Sequence, residues 1–68
     1  MNLGERLRII RESKGLTQDV LAERAGLTNI SISAIETGRV SAPRIKTIVA
    51  IAKSLNVSLD AIVKDVEF

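Results

Sequence analysis

The alternation of apolar and polar positions along the chain predicts five short helices. Leu3, Leu7 and Ile10 recur at the spacing of one helical face, which places the first helix near the start of the chain. Asn2, with Glu5 three residues later, has the pattern of a capping box that opens this helix. Threonine, serine, proline and glycine positions divide the remainder into helices over about residues 18–25, 29–37, 44–55 and 59–64. The predicted fold class is therefore all-α, a compact five-helix domain.

The composition bounds the size of the protein and its chemistry. The 68 residues make one domain over residues 1–68, and a domain of this size buries only about 60% of the surface of its unfolded chain. The residues are 46% hydrophobic, and almost all of these are aliphatic, which suits an efficient core. Because there is no cysteine and no histidine, the sequence offers neither a disulfide nor a set of metal ligands. We expect no metal and no cofactor.

Enzymatic activity and membrane insertion are both disfavoured. The sequence has no His, Cys or Tyr, and a helical domain this small has little room for a cleft that excludes water. No apolar run approaches the ~20 residues of a membrane span, and the N-terminus lacks the apolar stretch of a secretory signal. We expect a non-enzymatic, soluble protein of the cytoplasm.

Charge is distributed unevenly along the chain. Residues 1–53 hold nine Lys/Arg against five Asp/Glu, whereas residues 54–68 hold one Lys against three Asp/Glu. A basic body with an acidic tail suits a partner made of phosphates, with the tail facing elsewhere.

The most informative stretch covers residues 18–36. Ala22 is small enough for a neighbouring helix to approach closely, and Gly26 permits the positive φ that a short turn between two steeply crossing helices requires. Leu21, Ile32 and Ile35 are positioned to hold this pair of helices on the core. The third helix is then left with its N-terminal half projecting, as in domains that insert a helix into a major groove.

The joint pattern resembles the lambda-repressor-like helix-turn-helix family, also called the Cro or xenobiotic-response-element type. The resemblance covers about residues 3–63, and outside the turn it is carried by residues 7–11 and 14–18, 35–39 and 55–60. It implies a five-helix fold with the helix-turn-helix at the second and third helices. It also implies a sequence-specific regulator of transcription that binds double-stranded DNA, most often a repressor.

The resemblance assigns base reading to four positions of the third helix: Asn29, Ile30, Ser33 and Ala34. Only Asn29 has a side chain suited to bidentate pairing with adenine, and Ile30 can meet a thymine methyl group. The operator is therefore expected to favour A and T where it is read. For Ile30, packing against the neighbouring loop is an equally open interpretation.

The resemblance also assigns contacts with the DNA backbone to Gln18, Thr28, Arg39 and Arg44, and Gln18 matches a residue that can in addition support the third helix. Arg44 stands where a helix usually has a Ser or Asp cap, and a cation there opposes the helix dipole. A nearby phosphate would explain that choice; a merely tolerated poor cap is the alternative. Arg11 and Glu36 match a structural ion pair between the first and third helices.

A homodimer is expected because one helix reads only a few base pairs. A two-fold dimer on a palindromic operator doubles the site and places the half-sites about 34 Å apart. The candidate interface is at the C-terminal end, with residues 64–68 as a dimerisation tail, and consists of Ile62, Val63, Val66 and Phe68. Some apolar residues of the fifth helix must also cover the small core, and Leu59 and Ile62 are the best placed to do so. The alternation around Glu67 would permit a short strand across the two-fold axis; a frayed tail is the alternative.

One other class of function competes with DNA binding. The same fold can serve as a protein-interaction module, with the polar face of the third helix gripping a protein partner. Retention on heparin with a steep salt dependence separates the two. RNA binding is weaker still, because the sequence has no aromatic residues for base stacking apart from Phe68. Phage-type repressor, restriction–modification controller and autorepressing antitoxin all remain open, as do the operator sequence and the sign of regulation.

Overall fold

Five helices account for most of the chain. The computed structural model describes all 68 residues, and its helices are α1 (Leu3–Ser13), α2 (Gln18–Ala25), α3 (Asn29–Glu36), α4 (Ile45–Leu55) and α5 (Leu59–Val63). There is no strand, so the predicted all-α fold is confirmed. None of the five helices combines the length and the apolar character that crossing a membrane requires.

Side-chain caps explain where four of the helices begin. Asn2 and Glu5 form the predicted capping box at α1, each side chain accepting from the other's backbone N–H at 2.8 and 3.2 Å. The hydroxyls of Thr17, Thr28 and Ser58 accept a backbone N–H in the first turn of α2, α3 and α5. These contacts satisfy donors that a helix N-terminus otherwise leaves unpaired.

One aliphatic cluster joins all five helices. Helix α2 packs on both α3 and α4, α1 crosses α3, and α5 closes the cluster against α1 and α4. The members without exposed surface include Leu21 in α2, Ile32 in α3, Ile51 in α4 and Ile62 in α5. Burying an aliphatic side chain of this size contributes about 1.5–3 kcal/mol. Because Ile62 is 0% exposed, its predicted place in a dimer interface is wrong: α5 is short, and Ile62 covers the bottom of the core.

The C-terminal tail turns back towards the start of the chain. The backbone N–H of Glu67 donates to the carbonyl oxygen of Met1 at 3.0 Å, and the N-terminal ammonium lies 3.6 Å from a Glu67 carboxylate oxygen. Val66 packs against the core cluster, so a single copy of the chain does bury part of the tail. The backbone N–H of Val66 donates to the carbonyl oxygen of Val63 at 3.0 Å and closes a turn after α5.

Candidate nucleic-acid interface

The turn between α2 and α3 fixes the exposed position of α3. Gly26 adopts φ +70° and ψ 29°, the left-handed conformation that β-carbons disfavour, and the Leu27 N–H then donates to the Ala22 carbonyl at 2.8 Å. Ile32 and Ile35 bury one face of α3 in the core. The first turn of α3 lies on the outside of the domain.

The four predicted base-reading residues divide into two pairs. Asn29 and Ile30 in the first turn of α3 are exposed, whereas Ser33 and Ala34 one turn later are half-buried. Ile30 is 70% exposed, so packing of its side chain against a neighbouring loop does not occur. An apolar side chain with this exposure leaves stabilisation unrealised unless a partner covers it.

Asn29 makes one contact that the sequence did not predict. Its amide nitrogen, Nδ2, donates to Oδ1 of Asp19 at 2.6 Å, and both side chains are exposed. Asp19 lies in the first turn of α2 and Asn29 is the first residue of α3, so the contact joins the starting ends of the two helices. The only sequence signal for this pair is their separation of ten positions, which places both side chains in the first turns of two helices joined by a short turn.

The residues predicted to contact the DNA backbone lie in different local environments. Thr28 is exposed, and its hydroxyl caps α3 by accepting the Ser31 N–H at 3.1 Å. Arg39 and Arg44 are both exposed and pair with no carboxylate. Arg44 is the N-cap of α4 and forms no side-chain cap bond, so no capping side chain satisfies the N–H groups in the first turn of α4.

Gln18 and the predicted ion pair meet at the carboxylate of Glu36. Arg11 donates from Nε to Glu36 Oε2 at 2.7 Å and from Nη2 to Oε1 at 3.0 Å, a bidentate pair. Gln18 Nε2 adds a third donor to Oε1 at 3.1 Å, and a third nitrogen of Arg11 donates to the Leu16 carbonyl at 2.7 Å. The Glu36 side chain is only 3% exposed. Residues from α1 and α2 thus hold the last residue of α3.

The Arg11 guanidinium stays charged in this network. The hydrogen bonds that Arg11 donates to Glu36 raise the pKa of Arg11 above its usual value, and the smaller effect of burial in the opposite direction does not offset this rise. An arginine is protonated throughout the physiological pH range, so the charge of the Arg11 guanidinium does not depend on pH there.

Two further contacts orient α1, and nothing in the sequence pattern predicts them. A β-carbon at Gly4 would overlap the carbonyl oxygen of Ile35 and lie 2.7 Å from that of Glu36, so only glycine allows α1 to cross the end of α3 this closely. Arg6 donates from Nε to the Ala61 carbonyl at 2.8 Å and ties α1 to the last turn of α5.

The left-handed glycine turn joins α2 to α3 and leaves the first turn of α3 exposed, which is the geometry of a helix-turn-helix domain. The helix-turn-helix family matches residues 7–62, and the chain belongs to that family.

Two relatives are repressors that are longer than this chain. The chain is 38% identical over 63 residues to the immunity repressor protein of Bacillus phage phi105, covering 93% of the chain and 43% of that repressor. It is 34% identical over 61 residues to the HTH-type transcriptional repressor RghR of Bacillus subtilis (strain 168), covering 90% and 45%. The chain therefore spans less than half the length of these two relatives.

A solved structure matches over almost the whole domain. The P22 c2 repressor protein, in complex with a synthetic operator, superposes with a TM-score of 0.84 at 30% identity, over 94% of this chain and 96% of that one. Together these matches confirm the predicted resemblance to lambda-repressor-like helix-turn-helix proteins.

Proposed function

We propose that this chain is a sequence-specific, double-stranded-DNA-binding repressor of transcription that acts in the cytoplasm as a homodimer on a palindromic operator. The observation that carries this proposal is the exposed first turn of α3, where Asn29 and Ile30 project on a basic body while Arg39 and Arg44 remain unpaired. The similarity to two repressors and to an operator-bound repressor supports it.

In this proposal α3 enters the major groove with its first turn leading. Asn29 pairs with an adenine, and Ile30 covers a thymine methyl group, which removes its exposed apolar surface from water. Ser33 and Ala34 are half-buried and have short side chains, so each contributes a smaller contact with the bases. Thr28, Arg39 and Arg44 lie along the phosphates, and the Gln18 amide, already bonded to Glu36, supports the helix from behind.

Selection of bound sites from a library of random-sequence duplexes tests the proposal. We expect a two-fold symmetric site with half-sites about 34 Å apart and A or T at the positions read by Asn29 and Ile30. Recovery of duplexes without a shared site would contradict sequence-specific binding. Retention on heparin that does not fall with added salt would favour a protein partner instead.

Replacement of Asn29 by Ala is expected to cost about 1–3 kcal/mol at one base pair in each half-site and to flatten the preference there. Preferences at the other positions should remain, because Asn29 is not part of the core. The measurement is binding to duplexes that differ at single base pairs. A variant with its full preference at every position would show that another residue reads that base.

Replacement of Arg39 by Ala is expected to weaken binding to all duplexes alike and to reduce the slope of log affinity against log salt by about one unit. Arg39 is exposed and unpaired, so its loss removes a phosphate contact and little else. Lys53→Ala is the matched control, since it removes the same charge from an exposed, unpaired residue in the last turn of α4, far along that helix from Arg44. Equal slopes for both variants and the wild type would place Arg39 outside the interface.

The second copy of the chain is proposed to cover the apolar surface beside the C-terminus. Val63 is exposed and Phe68 is 85% exposed, and together with Pro43 and Ile45 they border one apolar groove. Val66 contributes less than expected because it already packs on its own core. The interface proposed here therefore keeps Val63 and Phe68 and loses Ile62.

Phe68→Asp is expected to shift the chain towards monomer and to weaken operator binding far more than binding to one half-site. A charge there would be buried without a partner in the dimer but solvated in the monomer. Ile9→Asp is the matched control, because Ile9 is an exposed apolar residue on α1 outside the groove. Sedimentation velocity gives the mass. A dimer as tight as that of the wild type would place the interface elsewhere.

A further inference from the structure

The hydrogen bond between Asn29 and Asp19 fixes which way round the Asn29 amide stands. A carboxylate can only accept, so the group that faces it must be Nδ2 and not Oδ1. The 2.6 Å separation is that of a strong bond to a charged acceptor. Neither side chain makes any other side-chain hydrogen bond, so nothing else sets the amide orientation.

The edge that remains free has the pattern of an adenine reader. Nδ2 carries two hydrogens and Asp19 takes one of them, which leaves one N–H donor beside the Oδ1 acceptor. Adenine offers N7 as acceptor and N6 as donor in the major groove, the complement of that pair. Rotation about the terminal bond of an asparagine is broad and roughly two-fold, so an amide that nothing holds also presents the reversed order.

We propose that Asp19 is a specificity-determining positioning residue, which selects adenine by holding the Asn29 amide in the one orientation that adenine accepts. This inference rests on the proposed function, in which Asn29 faces a base. Asp19 touches no base itself and acts through Asn29.

The charge of Asp19 makes this role separable from ordinary affinity. A carboxylate on the face that approaches phosphates lowers affinity for every duplex. Removal of Asp19 therefore raises affinity for unselected DNA while it weakens the preference at one base pair. If Asp19 only stabilised α2, its removal would lower both the affinity for unselected DNA and the preference at that base pair.

The test is a set of parallel selections from the same random-sequence duplex library, followed by binding to the four duplexes that differ at the Asn29 base pair. The chains are the wild type, the single variants Asn29→Ala, Asp19→Ala, Asp19→Asn and Glu23→Ala, and the double variant Asp19→Ala/Asn29→Ala. Glu23 is the matched control, because it is an exposed carboxylate on α2 that makes no side-chain hydrogen bond and no ion pair. Thermal melts confirm that each variant is folded at the temperature of the binding measurement.

Asp19→Ala is expected to lower the preference for adenine by about threefold to tenfold, the range that corresponds to the net contribution of one hydrogen bond. Its affinity for unselected DNA should equal or exceed that of the wild type. Asp19→Asn keeps the shape of the side chain and can still accept a hydrogen bond from Asn29. Its preference for adenine should therefore lie between those of the wild type and Asp19→Ala. Glu23→Ala should raise affinity for unselected DNA and leave the preference unchanged. In Asp19→Ala/Asn29→Ala, the preference should fall no further than in Asn29→Ala.

Two results overturn the inference, and they differ in what they leave standing. If Asn29→Ala flattens the preference but Asp19→Ala keeps it in full, Asn29 reads the base without Asp19 and the proposed function is intact. If Asn29→Ala keeps every preference, Asn29 reads no base and Asp19 has nothing to position. Failure of the wild type to enrich any site is the separate result that removes the proposed function itself.

Discussion

Arg11→Met is expected to lower the free energy of unfolding by about 3–5 kcal/mol, the cost of leaving a buried charge without its partner. The Glu36 side chain is 3% exposed and accepts two of its three hydrogen bonds from Arg11. Gln18 remains as a neutral donor and cannot neutralise the carboxylate. A chain of 68 residues has roughly 3–10 kcal/mol of stability in total, so the variant should be partly unfolded at 37 °C.

A double-mutant cycle separates the loss of the ion pair from the loss of packing. Arg11→Met/Glu36→Met should recover much of the stability, because a buried pair replaced by apolar side chains costs little. Arg11→Lys should remain destabilised, since an ammonium cannot reproduce the planar two-pronged donor. Urea unfolding followed by circular dichroism gives the values, and variants that fold should keep the operator of the wild type. A change below about 1 kcal/mol for Arg11→Met would mean that Glu36 is hydrated in solution.

Gly4→Ala is expected to lower the free energy of unfolding by about 3 kcal/mol, at the upper end of what one added methyl group costs in a well-packed interior. The new β-carbon would overlap the backbone oxygen of Ile35, which cannot rotate away as a side chain can. The better helix propensity of alanine returns about 1 kcal/mol at most. The helices must therefore separate, and the end of α3 must move. In a domain this small the melting temperature should fall by about 10 °C or more.

Gly15→Ala is the matched control for that substitution. A β-carbon at Gly15 meets no atom within 4 Å, so its cost is the strain of φ +70° alone, about 1–2 kcal/mol. Amide chemical shifts of residues 35–38 should move in Gly4→Ala and stay in place in Gly15→Ala. Equal stability of Gly4→Ala and the wild type would show that α1 and α3 lie further apart than this crossing allows.

Local signals predicted the elements and most of the core. The capping box at Asn2 and the glycine turn at Gly26 act over a few residues, and their geometry is as their spacing indicates. Helical periodicity likewise placed Ile32 and Ile35 on the buried face of α3. The fold class was therefore readable from the sequence alone.

Periodicity shows that an apolar residue lies on one face of a helix, but it does not show which surface covers that residue. The wrong predictions at the C-terminal end arise for this reason. Ile62 and Val66 are apolar residues at the end of the chain, and their own core buries the first fully and the second in part. Asp19 is a second instance of the same limit. An exposed aspartate looks like solvated surface until the fold brings it 2.6 Å from Asn29, ten positions away in sequence. Gly4 looked like an ordinary helix residue because its constraint comes from another helix.

The bond between Glu67 and Met1 has a topological consequence. The two ends of the chain already lie side by side, so a short peptide link between them would convert the protein into a ring without displacing any helix. Closing the chain restricts the unfolded ensemble, and a polymer model puts the resulting gain in stability at about 4 kcal/mol for a loop of this length. New ends could then be opened in the exposed segment between α3 and α4, which would give a circular permutant with the same helix packing.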